Sequence, residues 1–152
     1  MKRTKMNRTD HRERAISYFR DGFSCSQAVF AAFHDDFGLD EKTALKVSGA
    51  LGGGYGHTNG PCGVVSGALM IIGLKYGKAT TKDQNGKART YTKVREFKEK
   101  FEDRFGTIQC TELIGYDLNT PDGLKGAKEA NMFRTKCEEI IIVTVKILEG
   151  MI

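Results

Sequence analysis

Hydrophobic positions recur along this chain with the spacing of an α-helix, and no window shows the sustained alternation that a half-buried strand requires. The pattern therefore predicts an all-α fold, a single-domain bundle of about five main helices with shorter helical turns. The predicted helical segments are residues 9–21, 24–37, 40–51, 61–76, 90–105 and 135–148, with short turns at 109–114 and 120–131.

Local signals mark the ends of these helices. The strings Ser24-x-x-Gln27 and Thr135-x-x-Glu138 match the capping box that opens many helices. Glycines follow several of the apolar runs and predict helix ends. Within residues 90–105, a valine and three phenylalanines form one apolar stripe, which indicates a face buried in the core.

The amino-acid composition agrees with a single domain, and the distribution of charge bears on whether the protein binds nucleic acid. The chain has 152 residues, 39% of them hydrophobic, and a formal net charge of +5. We assign residues 9–152 to a single helical domain and residues 1–14 to a basic N-terminal arm that merges into the first helix. This arm carries most of the net charge, so the sequence predicts no nucleic-acid binding.

The hydrophobic content also bears on location. The longest nearly apolar stretch, residues 64–74, is short beside the roughly 20 residues of a membrane-spanning helix. The basic start is followed by no apolar signal region. We therefore expect a cytoplasmic protein without a membrane partner.

Four cysteines are the main candidates for chemistry: Cys25, Cys62, Cys110 and Cys137. Each falls in the first turn of a predicted helix, where free N–H groups and the helix dipole favour the thiolate and lower the pKa of a cysteine. Cys25 and Cys137 share a face with apolar neighbours and should point inward. The pattern thus predicts reactive thiols, carried by different helices, that can meet.

Other interpretations of the same cysteines remain open. A cysteine on an apolar helix face commonly packs as a small hydrophobe. No Cys-x-x-Cys motif is present, which weakens thioredoxin-like exchange and the common zinc and ferredoxin patterns. A closed four-thiolate site for zinc or an iron–sulfur cluster is the alternative, although no cofactor is predicted. Stable disulfides are disfavoured in the cytosol, and the three complete pairings cannot be separated by sequence.

A glycine-rich segment, residues 52–60, precedes Cys62. It lacks the Gly-Lys-Ser/Thr string of a phosphate loop and the third glycine of a dinucleotide loop. We predict instead that its glycines allow close packing and give a partner access to the thiols. The access residues are Gly53, Gly54, Gly56, His57, Gly60 and Gly63.

The histidines are weighed separately. His57 could exchange protons with the Cys62 thiol, but the interpretation we favour is an exposed loop side chain. We assign no chemistry to His11 or His34.

Longer strings around the cysteines carry a family resemblance. They are Phe23 to Val29 (FSCSQAV), Gly52-Gly53-Gly54, Gly60 to Ala68 (GPCGVVSGA), Gly73 to Gly77 (GLKYG), and Cys110-x-x-Leu113-x-Gly115-Tyr116-Asp117-Leu118. From about residue 12 to the C-terminus, the chain resembles the bacterial and archaeal C-GCAxxG-C-C family of redox-active proteins. The literal Gly-Cys-Ala-x-x-Gly string is absent, because Cys62 follows Pro61 and precedes Gly63-Val64. The resemblance implies a small helical cytoplasmic protein with a cysteine-based redox role, and it supplies no substrate.

These observations predict a cysteine-based redox protein that performs thiol–disulfide exchange or electron transfer. A thiolate at Cys62 or Cys25 would attack a partner sulfur or oxidant, and a second cysteine would resolve the intermediate. Whether it turns over as a thiol oxidoreductase is left open. The expected partner is a redox protein or a small thiol, with a homodimer as a further candidate. The alternatives are the four-cysteine metal or cluster protein and a non-catalytic helical interaction module.

Overall fold

The computed structural model describes the backbone of residues 7–152 and the side chains of residues 11–152. The first six residues of the predicted basic arm lie outside this part of the chain. The helices are α1 (Asn7–Arg20), α2 (Cys25–Ala31), α3 (Glu41–Val47), α4 (Gly52–His57), α5 (Gly63–Tyr76), α6 (Gly86–Phe105), α7 (Cys110–Ile114), α8 (Pro121–Glu129) and α9 (Glu138–Met151). A 3₁₀ turn (His34–Phe37) and a π-helical turn (Phe133–Cys137) complete the helical elements. The predicted all-α single-domain fold is confirmed.

Helix α2 lies at the centre of the domain, packed against α1, α3, α5 and α9. Its residues Ala28 to Ala31 are buried because neighbouring helices cover it on several sides. The predicted capping box is present: the Ser24 hydroxyl accepts from the Gln27 N–H, and the Gln27 side chain accepts from the Ser24 N–H. The start of α2, and with it Cys25, is therefore fixed by local sequence.

Helix α5 crosses α2 at close range, and a glycine permits this. A β-carbon on Gly67 would lie 2.9 Å from the carbonyl oxygen of Ser26, closer than real β-carbons approach. On its other side α5 packs against α6, whose Phe97 and Phe101 are fully buried. The predicted phenylalanine stripe is thus part of the core.

Several predicted boundaries were wrong. The second predicted helix ends at Ala31, before the separate 3₁₀ turn, and the third ends at Val47. The fourth begins at Gly63 instead of Pro61, because Pro61 pairs with Gln109 in an isolated antiparallel β-bridge. This bridge is the only strand-like pairing among the described residues.

The glycine-rich segment at residues 52–60, which we expected to be a loop, is helical over much of its length. From Gly53 to His57 every residue has a positive φ, between 59° and 74°, and the segment makes one left-handed turn. The N–H groups of Thr58 and Gly60 both donate to the Gly54 carbonyl, which closes the turn. Three of these five residues are glycines, which adopt this conformation without the cost that other residues bear.

The start of the last helix differs from prediction as well. No capping box forms at Thr135, whose hydroxyl instead donates to the Asn131 carbonyl at 3.0 Å. The chain is already helical there, in the π-helical turn that runs directly into α9. Within residues 7–152, no helix is long and apolar enough to cross a membrane.

Candidate functional site

All four cysteines line one cavity of about 210 Å³. They come from four separate segments: the start of α2, the residue before α5, the start of α7, and the end of the π-helical turn. All four are free thiols. Apolar side chains from α1, α5, α7, α9, the segment after α7 and the π-helical turn make much of the remaining wall, among them Phe19, Val64, Leu113, Ile114, Leu118, Phe133 and Ile140.

Cys25 is the first residue of α2, and its sulfur is enclosed by backbone. A β-carbon on Gly63 would lie 2.5 Å from the Cys25 Sγ, so this sulfur rests against the backbone next to Cys62. Burial raises the pKa of the Cys25 thiol, while nearby backbone N–H groups, including those of Gly53 and Gly63, act in the opposite direction. The site thus carries the N–H groups that stabilise a thiolate, but in a desolvated setting.

Cys62 immediately precedes α5 and is 6% exposed. Burial raises its pKa well above the ordinary value, and a negative charge on Cys25 raises it further. The Cys62 N–H donates to the Ile108 carbonyl, and the Cys110 N–H donates to the Gly60 carbonyl. This short backbone pairing holds the segments of Cys62 and Cys110 side by side.

Cys110 and Cys137 belong to a second, smaller apolar cluster with Ile114, Leu118 and Ala127. Burial, followed by the charge of Cys25, raises the pKa of Cys110 to about 11 and that of Cys137 to about 12. The cavity therefore lies where the two apolar clusters meet, with Cys25 and Cys62 on the main one.

Two expectations about the cysteines were wrong. Cys137 does not lie in a first helical turn, because the chain is already helical from Phe133 onward. It is the last residue of the π-helical turn, an irregularity common at functional sites. The pKa of all four thiols is raised instead of lowered, because the loss of water outweighs the helix N-termini.

The next residue fixes this irregular turn in place. Glu138 is buried, and its carboxylate pairs with Arg20 of α1 at 2.9 Å and with Arg134 at 3.3 Å. Hydrogen bonding to Arg20 lowers the pKa of this carboxyl. The ion pairs link the start of α9 to α1 and so set the position of Cys137.

The predicted access residues lie beside the thiols. Gly53 and His57 line the cavity, and the His57 ring lies so close to Gly53 that a β-carbon there would be 2.4 Å from it. A β-carbon on Gly54 would lie 3.0 Å from the Cys110 β-carbon. His57 is half-buried, so our favoured interpretation of an exposed histidine was wrong. The close packing of this segment agrees with prediction, whereas access for a partner stays a prediction.

Sequence reasoning missed the apolar wall of the cavity. Phe19 and Phe133 were not singled out as site residues, and Leu118 was named only as part of a family string, although all three line the cavity. Helical periodicity assigns such residues to an inner face, and it cannot distinguish a side chain that fills the core from one that borders a cavity. The helical pattern alone therefore does not mark them as cavity residues.

The arrangement of possible ligand side chains also bears on the alternative of a metal or iron–sulfur site. Within the described residues, no group of three or more His, Cys, Asp or Glu side chains is arranged to hold a metal ion. The cysteines share a cavity without converging on one point as ligands. Zinc or an iron–sulfur cluster therefore stays a prediction that the arrangement of side chains does not favour.

One consequence of the raised pKa values is measurable without knowing the function. Because the Cys137 thiol has a higher pKa in the folded chain than in the unfolded chain, the unfolded chain loses this proton first as the pH rises above about 9. The free energy of unfolding should therefore fall between pH 9 and pH 10.5. We expect the fall to be greater in the natural chain than in Cys137→Ala, by on the order of 1 kcal/mol.

Urea unfolding at several pH values measures this difference. Other groups that titrate in this range are common to both proteins and cancel in the comparison. An identical pH dependence in the two proteins would show that the thiol is not desolvated in the fold.

Fold and site together define a class: a small all-α protein that gathers four free cysteines from four segments around an apolar cavity. The chain belongs to the C_GCAxxG_C_C family, whose model, described as "Putative redox-active protein", matches residues 23–151. The match includes all four cysteines. Searches of curated proteins and of solved structures found no match.

Proposed function

We propose that this member of a redox-active family works as a dithiol–disulfide exchange protein, with Cys25 and Cys62 as its working pair. The observation that carries the proposal is the common cavity of the four thiols, built by segments distant in sequence. Cysteines that served only as small hydrophobes would have no reason to border the same cavity. We place the protein in the cytoplasm, where its thiols would be reduced at rest.

The choice of this pair rests on two contacts. The Cys25 Sγ lies against the backbone of Gly63, the residue that follows Cys62. A bond between Cys25 and Cys62 would join the starts of α2 and α5, two helices already in close contact.

The roles within the pair follow from the backbone around each sulfur. N–H groups of Gly53, Ser26 and Gly63 lie near the Cys25 sulfur and stabilise its negative charge. Cys25 is therefore the attacking residue in our proposal. Cys62, held protonated by burial and by the charge of Cys25, is the resolving residue.

The exchange proceeds in two displacements. The Cys25 thiolate attacks one sulfur of a disulfide R–S–S–R, a new S–S bond forms, and R–S⁻ leaves and takes up the proton that Cys25 lost. The Cys62 sulfur then gives up its proton and attacks Cys25, which releases a second R–SH. Overall, R–S–S–R is reduced to two R–SH while Cys25 and Cys62 are oxidised to one disulfide.

Thiol labelling across redox buffers tests this function. Protein purified without oxygen is equilibrated in mixtures of 2-mercaptoethanol and its disulfide, quenched with acid, and alkylated after denaturation. We expect two of the four thiols to become unavailable together, and to return when the buffer is made more reducing. Four thiols that stay available at every ratio would overturn the proposal.

A further inference from the structure

The side chains that line the cysteine cavity limit which molecules can bind beside the thiols. Aromatic and aliphatic side chains surround the sulfurs, including Phe19, Leu113, Phe133 and Ile140. Besides the thiols, its polar lining side chains are those of Ser24 and His57. A molecule that carries a formal charge would lose its water on entering such a site, and this loss is costly without a partner of opposite charge.

The volume of the cavity limits the size of the molecule that can bind in it. A dry apolar cavity of about 150 Å³ holds a benzene molecule. By the same measure, a cavity of about 210 Å³ holds a ligand of somewhat greater size. A small organic molecule fits this space, whereas a peptide disulfide is far larger.

The reaction of the thiols also limits which oxidised group this cavity can reduce. Reduction of a hydroperoxide expels an oxygen anion, which is smaller and more strongly hydrated than the thiolate that a disulfide expels, so these apolar walls disfavour it more. Reduction of a disulfide releases thiols, which are soft and weakly polar and suit the same walls. A disulfide is therefore the oxidised group that matches both the sulfurs and their surroundings.

We infer that the substrate of this site is a small, uncharged, apolar disulfide that enters the cavity and is reduced there to two thiols. The inference rests on the proposed function and adds the class of substrate. The bonds change as in the exchange above: one S–S bond of the substrate breaks, one forms between Cys25 and Cys62, and two protons pass from these cysteines to the two released thiols.

A matched series of disulfides tests the inference. Diethyl disulfide and 2-hydroxyethyl disulfide are neutral, cystamine is cationic, and the disulfide of 2-mercaptoethanesulfonate is anionic; all share the same two-carbon arms. The rate at which each disulfide oxidises the protein is measured by intact mass. Each rate is divided by that of the same disulfide with a free small thiol, which removes differences in intrinsic reactivity.

We expect both neutral disulfides to exceed both charged ones by about tenfold or more after this correction. Diethyl disulfide should be at least as fast as the hydroxyethyl compound. Equal corrected rates for neutral and charged disulfides would overturn the inference while leaving the exchange function standing. No reversible loss of two thiols with any of the four would overturn the function itself.

A pair of variants tests whether the cavity is the route. Leu113→Phe adds volume to the wall, whereas Ile142→Phe adds comparable volume on the exposed face of α9, where the side chain is 40% exposed. We expect Leu113→Phe to slow oxidation by diethyl disulfide severalfold and Ile142→Phe to leave it unchanged. Equal rates in the two variants, with equal helical content, would contradict entry through the cavity. Because the disulfide series uses the natural chain, it stands even if Leu113→Phe fails to fold.

Discussion

Cys62→Ser is expected to stop the exchange reaction after its first displacement. Cys25 can still attack a disulfide in this variant, but no neighbouring thiol remains in the proposed pair to release the bound half. The protein should therefore accumulate one mixed disulfide at Cys25, visible as a single adduct by intact mass, where the natural chain forms an internal disulfide. Because serine differs from cysteine by one atom, the helical content should stay the same.

The matched control for this variant is Cys110→Ser. Cys110 lines the same cavity but belongs to the smaller apolar cluster. It should still form the internal disulfide at a rate near that of the natural chain. If Cys62→Ser also loses two thiols together while Cys110→Ser does not, the resolving residue is Cys110 and the proposed pair is wrong.

Gly63→Ala is expected to damage both stability and exchange. Its β-carbon would lie 2.5 Å from the Cys25 Sγ, 2.9 Å from the Gly52 Cα and 3.1 Å from the Leu51 carbonyl oxygen. Two of these neighbours are backbone atoms, which cannot move aside as a flexible side chain can. Overpacking of this kind costs about 1–3 kcal/mol in the free energy of unfolding. The displaced Cys25 should also form its internal disulfide more slowly.

The control lies on the same helix. Gly73→Ala places a β-carbon in α5 with no atom from another part of the chain within 4 Å. Replacing a mid-helix glycine by alanine there should raise the free energy of unfolding by about 0.5–1 kcal/mol. Urea unfolding measures both variants. Equal stability of Gly63→Ala and Gly73→Ala would mean that α5 and the Cys25 sulfur are not in close contact.

Much of the fold could be predicted because its signals are local. The capping box at Ser24 and the phenylalanine stripe of α6 each act within a few residues of sequence, and both appear as expected. The left-handed turn from Gly53 to His57 has no such signal, since two of its residues, Tyr55 and His57, disfavour positive φ. Its form depends on the Cys110 and Cys25 segments packed against it.

In the candidate site, too, the features with a local sequence signal could be predicted, and those set by the assembled fold could not. Placement of Cys25 and Cys110 at helix starts followed from local pattern, whereas Cys137 was misplaced because a π-helical turn has no sequence signature of its own. The direction of the pKa shifts could not be predicted either. A helix N-terminus is visible in a sequence, but the burial that outweighs it is a property of the assembled fold.

The identity of the disulfide tests the central claim most directly. Trypsin should place each cysteine in a separate peptide: Cys25 in residues 21–42, Cys62 in 47–75, Cys110 in 105–125 and Cys137 in 137–146. Protein oxidised by the disulfide of 2-mercaptoethanol, alkylated and digested without reduction, should yield peptides 21–42 and 47–75 joined by one S–S bond. A bond between 105–125 and 137–146 instead, or four alkylated cysteines, would contradict the assignment of Cys25 and Cys62 as the working pair.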